Sequence, residues 1–308
     1  MSDKQVDVII IGGGGAGLTA ALYTSRAKLS TVLFEKLTPG GQIALTDLVE
    51  NYPGFPEGIT GGEISQRMEE QAKRYGTEVV YEEVKSLTKR ADGKFDVQTS
   101  GQSYEAKAII LAAGASFRML GVPKEKELTG RGVSYCATCD GAFFKEKQVV
   151  VVGGGDSALQ EGIFLTRFAS KVTVIHRRDK LRASPILQER AKGNPKIGFV
   201  WDTVVERVEG DKKVQAIQLK NLKTNESKDF AVDGVFIFVG HDPNTKFLKG
   251  FVDLDDHGYV VSGPNLTTSV PGVFAAGEIR AGAVKQLVSA CGEGCEAALA
   301  AQAYIENH

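Results

Sequence analysis

The chain has 308 residues, of which 42% are hydrophobic and 24% charged, enough for about two domains with buried cores. Its 37 basic and 38 acidic residues give a net charge of -1, which gives no support to a nucleic-acid or membrane-surface role. No apolar run reaches the roughly 18 residues that span a bilayer, and no signal-peptide pattern precedes the first apolar stretch. We therefore expect a soluble cytoplasmic protein.

The first half of the chain begins with an apolar strand predicted over residues 6–11. A glycine-rich turn follows at 12–17, then a helical stretch over 18–26 and a second strand over 31–34 that ends in Glu35. The order strand, glycine turn, helix, strand and acid is typical of a dinucleotide-binding unit. Residues 78–88, 94–99 and 106–111 are rich in β-branched and aromatic side chains, which predicts three further strands with antiparallel pairing.

The same order of elements recurs 141 residues later. A strand over 148–152 runs into a turn at 153–158, a helix over 159–168 and a strand over 171–175. Strand patterns over 200–208, 213–219 and 228–232 repeat the antiparallel insertion, and a strand over 235–239 leads to a turn-rich junction at 240–244.

This internal repeat predicts an α/β protein with two Rossmann-like nucleotide-binding domains, each of three layers (ββα). We expect the first domain to be discontinuous in sequence, with segments 1–116 and 246–308. The second domain would cover residues 117–245 and carry the cysteine pair described below.

Both turns match Gly-x-Gly-x-x-Gly or its variant with alanine last. Glycine has no Cβ, so the backbone can approach a pyrophosphate closely, and the helix N-terminus offers free N–H groups. We assign to the two nucleotide sites the turn residues Gly12, Gly14, Gly15, Ala16 and Gly17, and Gly153, Gly155, Asp156, Ser157 and Ala158.

The residue 23 positions after the first glycine of each turn indicates which nucleotide binds. After Gly12 it is Glu35, whose carboxylate accepts hydrogen bonds from a ribose hydroxyl pair and would repel a 2′-phosphate, so the first site should take FAD or NAD. After Gly153 it is His176, and a basic cluster follows that suits a phosphate and predicts NADPH. The alternative interpretation of the cluster is a solvated surface run. The basic cluster consists of Arg177, Arg178 and Arg182.

A Cys-x-x-Cys pair, Cys136 and Cys139, lies 14 residues ahead of the second turn and is followed by Asp140. Such a pair can cycle between dithiol and disulfide, and the acid could move the proton that each thiol exchanges; the alternative for Asp140 is a simple turn residue. Four cysteines are too few for a disulfide scaffold, and the four histidines lack zinc-site spacing, so no metal is expected. Because hydride attack on a disulfide is usually mediated by a flavin, FAD is the expected first nucleotide.

Together these motifs resemble the low-molecular-weight bacterial thioredoxin reductases over nearly the whole chain. The matching segments are 12–17, 40–42, 50–54, 112–114, 136–141, 153–158, 176–178, 240–244 and 268–277. The resemblance implies that Cys139 faces the flavin and forms the charge-transfer thiolate. Cys136 would attack the disulfide of thioredoxin, and Asp140 would act as acid-base. It also implies a homodimer and a rotation of the two domains about linkers near 115–120 and 241–247.

The resemblance further implies which residues hold FAD, and two of these positions depart from the family pattern. The family commonly has Asp where this chain has Glu278, and Tyr-Arg-Gln where it has Val284-Lys285-Gln286, so FAD affinity or flavin potential could differ. The implied FAD-binding residues are Glu35, Gly41, Gln42, Asn51, Ala113, Gly277, Glu278, Lys285, Gln286 and Leu287.

Two further cysteines, Cys291 and Cys295, stand four positions apart on a predicted helix. Helical neighbours at this spacing have Cβ atoms about 5–6 Å apart, longer than the roughly 3.5–4.5 Å of a disulfide. We therefore expect small buried packing residues rather than a second redox pair.

Other functions also have to be weighed against the sequence. A flavin-dependent dithiol oxidase or a ferredoxin-linked thioredoxin reductase would share the fold and dithiol but lack NADPH binding, against which Arg177 and Arg178 argue. A redox-sensing flavoprotein would bind partners without turnover. An alkyl hydroperoxide reductase flavoprotein would normally carry an extra N-terminal domain, for which 308 residues leave no room.

Overall fold

The computed structural model describes residues 4–46 and 48–308. The chain forms two compact units, one made of Met1–Ser116 with Asp242–His308 and the other of Phe117–His241. We call the first the discontinuous unit and the second the continuous unit. The division at 241/242 lies four residues before the predicted boundary at 245/246, and the nucleotide assigned to each domain stays a prediction.

The first segment of the discontinuous unit contains the first strand–turn–helix–strand sequence and the antiparallel strands that follow it. A single 3-10 turn covers Ile43–Leu45. The elements are β1 (Lys4–Ile11), α1 (Gly15–Arg26), β2 (Thr31–Phe34), α2 (Gly61–Arg74), β3 (Glu78–Val80), β4 (Val84–Lys89), β5 (Phe95–Thr99), β6 (Ser103–Leu111) and β7 (Ala115–Phe117).

The continuous unit repeats this plan after a short helical turn. A 3-10 turn covers Gly141–Phe144. The elements are β8 (Val133–Ser134), α3 (Ala137–Asp140), β9 (Gln148–Gly153), α4 (Asp156–Leu165), β10 (Lys171–Ile175), α5 (Pro185–Lys192), β11 (Ile197–Val200), β12 (Thr203–Glu209), β13 (Ala216–Asn221), β14 (Ser227–Ala231) and β15 (Gly234–Phe238).

The last part of the chain returns to the discontinuous unit and ends in its longest helix. Its elements are β16 (His241–Pro243), which pairs with β7, then β17 (Val273–Ala275) and α6 (Leu287–Asn307). Single 3-10 turns cover Lys246–Leu248, Pro264–Leu266 and Gly277–Ile279. Within residues 4–46 and 48–308, none of the helices combines the length and apolar character needed to cross a bilayer.

The discontinuous unit has a seven-stranded sheet in the order β3-β2-β1-β6-β5-β4, with β17 also paired to β6. Strands β1, β2, β3, β6 and β17 pair in parallel, whereas β4 and β5 pair antiparallel. Successive side chains of β1 point to opposite faces. Val8 and Ile10 join the cluster with α1 and α6, and Ile9 and Ile11 join the cluster with β4 and β5. The parallel strands of the sheet therefore lie between a helical layer and the antiparallel strands β4 and β5.

The continuous unit builds the same three layers from a five-stranded parallel sheet, β11-β10-β9-β15-β8, and a separate antiparallel sheet, β12-β13-β14. Val149 and Val151 of β9 pack in the cluster with α4, whereas Val150 and Val152 pack in the cluster with the antiparallel sheet. The predicted fold class, two three-layer Rossmann-like domains with the first one discontinuous, is confirmed.

Two strand predictions are wrong in the same way. The predicted strand 78–88 is two strands, because β3 pairs in parallel with β2 while β4 pairs antiparallel with β5. The predicted strand 200–208 is also two, and Asp202 between them has a φ of +52°. In each case the apolar pattern continues through a break between two strands: β3 and β4 lie at opposite edges of one sheet, and β11 and β12 belong to different sheets.

Candidate functional site

The first glycine turn leaves an open helix N-terminus. Gly12 follows β1 with a φ of +108°, and a Cβ there would lie 2.3 Å from the Ala112 carbonyl oxygen, so only glycine fits. Gly14 caps α1 without a side-chain hydrogen bond, and a Cβ there would meet only the Gly40 carbonyl oxygen, at 4.0 Å. A helix N-terminus with a glycine cap beside open space is what a pyrophosphate requires.

Glu35 lies at the end of β2 beside this turn. Its Oε2 accepts a hydrogen bond from the Gly13 N–H at 2.9 Å, and its Oε1 accepts one from the Leu37 N–H at 2.9 Å. Two backbone donors therefore fix the carboxylate at the turn. Each carboxylate oxygen keeps a lone pair that could accept a ribose hydroxyl.

The structure brings predicted FAD residues from distant segments together within the discontinuous unit. The Asn51 Nδ2 donates to the Gln286 Oε1 at 2.8 Å. The Leu287 side chain lies against the turn, because a Cβ added to Gly15 would be 2.5 Å from Leu287 Cδ1. Gly41 also lies near the turn, since a Cβ there would be 3.6 Å from the Gly14 Cα.

Glu278 is the strongest indication of a bound group in this unit. Its Oε2 is buried and has no hydrogen-bond partner among the residues that the structure describes. Burial raises the pKa of this carboxyl, and the charge of Lys285 lowers it by less. A buried oxygen without a hydrogen bond destabilises the fold unless a ligand donates one, so a flavin with its ribityl hydroxyls fits here. Lys285 itself has its Nζ 3.4 Å from the Tyr259 hydroxyl.

Two other predicted residues, Gln42 and Ala113, form hydrogen bonds within the protein through their polar groups. The Gln42 Nε2 donates to the Ala115 carbonyl at 2.5 Å, and the Ala113 carbonyl accepts from the Asn244 Nδ2 at 2.8 Å. The described contacts therefore give these two residues a role in shaping the loops, whatever they contact in a loaded site.

The second glycine turn repeats the geometry in the continuous unit. Gly153 has a φ of +152°, and a Cβ there would lie 2.4 Å from the Phe238 carbonyl oxygen and 2.8 Å from the Ala158 Cβ. Gly155 caps α4 without a side-chain hydrogen bond and has open space where a Cβ would stand. Asp156 is occupied within the protein, because its Oδ1 accepts the Ser184 N–H at 2.5 Å, while Ser157 is exposed.

The basic cluster after β10 divides into one buried residue and three exposed ones. His176 is 5% exposed, and its ring lies 2.4 Å from the Cβ that Gly154 lacks. Burial and the nearby guanidinium groups lower its pKa, against a hydrogen bond to the Lys180 carbonyl that raises it. Arg177, Arg178 and Arg182 are exposed and have no ion-pair partner within residues 4–46 and 48–308.

The three arginines therefore suit a phosphate ligand, whereas His176 supports the turn beneath it. The Arg182 N–H also donates to the Gly154 carbonyl at 2.7 Å, which holds the cluster against the glycine turn. Open backbone at Gly155 and unpaired guanidinium groups beside it fit NADPH.

Cys136 and Cys139 form a disulfide in the same unit. Cys136 is half-buried at the N-cap of α3, and Cys139 is exposed. The Cys139 N–H donates to the Cys136 Sγ at 3.1 Å. That donor would stabilise a thiolate on Cys136 when the bond is reduced.

Asp140 ends α3, next to the cysteine pair. Its carboxylate makes no hydrogen bond or ion pair within the part of the chain that the structure describes, so its proton-transfer role stays a prediction. Thr138, between the two cysteines, has a buried hydroxyl without a partner among the same residues.

Cys291 and Cys295 are free thiols on α6. Cys291 is buried as expected, with its Sγ 3.7 Å from the Gly15 carbonyl oxygen, and burial raises its pKa. Cys295 is only half-buried, so the prediction that both are buried is wrong for this residue. Within residues 4–46 and 48–308, no cluster of three or more histidine, cysteine, aspartate or glutamate side chains could hold a metal ion.

Sequence reasoning missed two buried carboxylates, Glu293 and Glu125, which hold loops of the two units. Glu293 on α6 accepts from the Gly277 N–H at 2.7 Å and forms a two-point ion pair with Arg280. Glu125 accepts four hydrogen bonds near the dithiol. A charged residue at a core-facing position of a helix was the available signal for Glu293; Glu125 lies in a turn and gives none.

Comparison with known proteins agrees with this geometry. Residues 6–294 match the family described as pyridine nucleotide-disulphide oxidoreductase. The chain is 51% identical to a thioredoxin reductase of Bacillus subtilis, over 100% of this chain and 97% of that protein. It also resembles the crystal structure of Lactococcus lactis thioredoxin reductase (TM-score 0.96, 43% identity, 98% and 100% coverage) and that of T. acidophilum thioredoxin reductase (0.93, 39%, 99% and 99%).

Proposed function

The chain belongs to the pyridine nucleotide-disulphide oxidoreductase family, and from that premise we propose that it is an NADPH-dependent thioredoxin-disulfide reductase. The observation that carries the proposal is the Cys136–Cys139 disulfide in the same unit as a glycine turn followed by three exposed arginines. A pair of sulfurs and a phosphate-reading nucleotide turn in one compact unit suit electron transfer from NADPH to a disulfide partner.

The discontinuous unit would hold FAD and the continuous unit NADPH. The open N-terminus of α1, the Glu35 carboxylate and the orphan Glu278 oxygen support the first assignment. Open backbone at Gly155 and the exposed arginines support the second. When bound, FAD supplies the two-electron transfer between NADPH and the dithiol.

The remaining chemistry belongs to the chain's own residues. The Cys136 thiolate attacks one sulfur of the thioredoxin disulfide, and the other sulfur leaves as a thiolate that takes a proton. The Cys139 thiolate then attacks the Cys136 sulfur, which restores the Cys136–Cys139 disulfide and releases the second thioredoxin thiol. Asp140, one residue beyond Cys139, would hold the proton that the thiols exchange.

An anaerobic titration of the flavin-loaded protein with NADPH and NADH tests this function. We expect NADPH to bleach the flavin band at far lower concentration than NADH, and turnover when oxidised thioredoxin is added. No bleaching by NADPH would point to the oxidase or the ferredoxin-linked reductase instead. Bleaching without thioredoxin turnover would point to a sensor.

The homodimer and the cytoplasmic location are also part of the proposal, and the resemblance to the family supports them. The chain has a mass of 33.0 kDa, so light scattering after size-exclusion chromatography should give about twice that mass. A monomeric mass at micromolar concentration would contradict the dimer.

A further inference from the structure

Glu125 is a buried carboxylate in the loop that enters the continuous unit. It is 1% exposed, and its oxygens accept the backbone N–H groups of Leu120 at 2.7 Å, Gly121 at 2.7 Å and Val122 at 3.2 Å. A fourth donor, the Tyr135 hydroxyl, lies 2.7 Å from Oε1. Buried charge is tolerated only when its lone pairs are satisfied, and here four donors satisfy it.

Tyr135 links this carboxylate to the redox pair, because it immediately precedes Cys136. Its ring stacks on that of Phe117, with centroids 6.4 Å apart and planes 21° apart. Burial and the hydrogen bond to Glu125 raise the pKa of the hydroxyl, which keeps it a donor. The side chain is therefore held at both its ring and its hydroxyl.

Ser134 also holds the backbone of Cys136, through two hydrogen bonds. It is 3% exposed, its Oγ accepts the Cys136 N–H at 3.1 Å, and the hydroxyl donates to the Cys136 carbonyl at 3.1 Å. Placing the Cys136 backbone in this way also places its sulfur relative to the Cys139 N–H, the donor at 3.1 Å. Small displacements weaken such a hydrogen bond steeply.

We propose that Glu125 and Tyr135 are positioning residues for Cys136, which hold its sulfur where the Cys139 N–H can stabilise the thiolate. The inference rests on the proposed exchange chemistry of the dithiol. Neither residue touches substrate or reacting sulfur in this scheme. Their effect is to keep the attacking atom in one place and in its reactive form.

The test is the alkylation of Cys136 by iodoacetamide in the full-length protein carrying Cys139→Ser, which retains the N–H of residue 139. The thiolate displaces iodide and forms one carbon–sulfur bond, so the rate and its pH midpoint report the thiolate directly. Adding Tyr135→Phe removes one hydrogen bond and keeps the ring. We expect the rate at pH 7 to fall about three- to tenfold, the range for one hydrogen bond, and the pH midpoint to rise.

Tyr81→Phe is the matched control. The Tyr81 hydroxyl donates to the Glu69 Oε1 at 2.6 Å on the surface of the discontinuous unit, so this variant loses the same kind of contact away from the dithiol. It should alkylate at the parent rate. If Tyr135→Phe also keeps the parent rate and pH midpoint, the inference is overturned.

A double-mutant cycle tests whether Tyr135 acts through Glu125. Glu125→Gln combined with Tyr135→Phe should slow alkylation by less than the product of the two single effects, and a full product would overturn the coupling. Should Glu125→Gln fail to fold, the Tyr135→Phe result decides alone. The assay uses neither NADPH nor thioredoxin, so a failed thioredoxin assay with unchanged alkylation effects would reject the proposed function and leave the positioning role standing.

Discussion

At the residue scale, the exposed arginines after β10 bear on the choice of nicotinamide cofactor. Arg177 and Arg178 follow the end of β10 and the buried His176. Neither arginine forms an ion pair with a carboxylate within residues 4–46 and 48–308. A guanidinium without a partner gains most from a phosphate dianion and little from a hydroxyl.

Replacing both arginines, Arg177→Ala with Arg178→Ala, should raise the KM for NADPH by about tenfold or more and leave the KM for NADH nearly unchanged, because only NADPH carries the 2′-phosphate. Steady-state kinetics with each cofactor measure the split. Arg207→Ala removes an exposed arginine on β12 that pairs with Glu209, and it should change neither value. Equal loss for NADPH and NADH would contradict the assignment.

Glu278 links a single residue to pH. Its pKa is raised by burial, so the folded chain binds a proton that the unfolded chain has released. The resulting stability is fully present below the unfolded pKa, near 4.5, and is lost as pH rises through the raised folded pKa.

The apo-protein should therefore lose more stability between pH 5 and pH 7.5 than Glu278→Gln does, because the amide has no proton to lose. Urea melts at the two pH values measure the difference. Glu57→Gln, at an exposed carboxylate of the same unit, should retain the parent pH dependence. Parallel curves for the parent and Glu278→Gln would show that the carboxyl is not held in its protonated form.

At the scale of elements, helix α6 is tied to the turn that carries Glu278. Glu293 projects from α6 into the interior and binds both the Gly277 N–H and the Arg280 guanidinium. The side chains of Glu293 and Arg280 are 10% and 19% exposed, so each charge depends on the other.

Glu293→Gln leaves the Arg280 charge buried without its partner and should destabilise the protein by about 3 kcal/mol. FAD affinity should fall as well, since the Gly277 turn loses its anchor. Denaturant melts of the apo-protein and a fluorescence titration with FAD measure the two effects. Glu83→Gln breaks an exposed ion pair with Lys85 and should change neither, and an equally mild Glu293→Gln would refute the anchoring role.

The elements also show where sequence patterns stop being informative. Strands β2 and β10 were predicted with the bounds they have, because each is a short, largely apolar run followed by polar or charged residues. The predicted strand 78–88 failed because periodicity reports burial and not which strand a residue pairs with. Residues 78–80 and 84–89 are both partly apolar, yet they pair with different neighbours.

At the scale of the whole molecule, the two cysteines have different surroundings. Cys136 is half-buried and receives the Cys139 N–H, whereas Cys139 is more exposed. The hydrogen bond favours Cys136 as the attacking thiolate, and exposure alone would favour Cys139.

A trapping experiment decides between the two sulfurs. Cys139→Ser should accumulate a mixed disulfide between Cys136 and thioredoxin, because the resolving thiol is missing. Cys136→Ser should accumulate little. Non-reducing electrophoresis and mass spectrometry of the linked peptides measure both, and the reverse pattern would exchange the two proposed roles.

The sequence alone determines the short motifs of this protein and its two-domain plan. The glycine turns, the acid or the basic cluster 23 positions on and the Cys-x-x-Cys pair are short motifs whose chemistry depends on neighbours in the chain, so they could be read directly. The repeat of one strand–turn–helix order predicted two similar domains for the same reason.

Only the tertiary structure decided which distant groups meet. Asn51 and Gln286 are 235 positions apart, and nothing in either segment indicates their contact. The buried charges Glu125 and Glu293 look like surface residues in the sequence. Glu293 is satisfied by the Gly277 N–H from another segment, whereas Glu125 is satisfied by N–H groups of its own loop, which only the folded loop turns toward it. Long-range contacts depend on how the layers pack, and burial of a charge depends on partners that sequence spacing does not record.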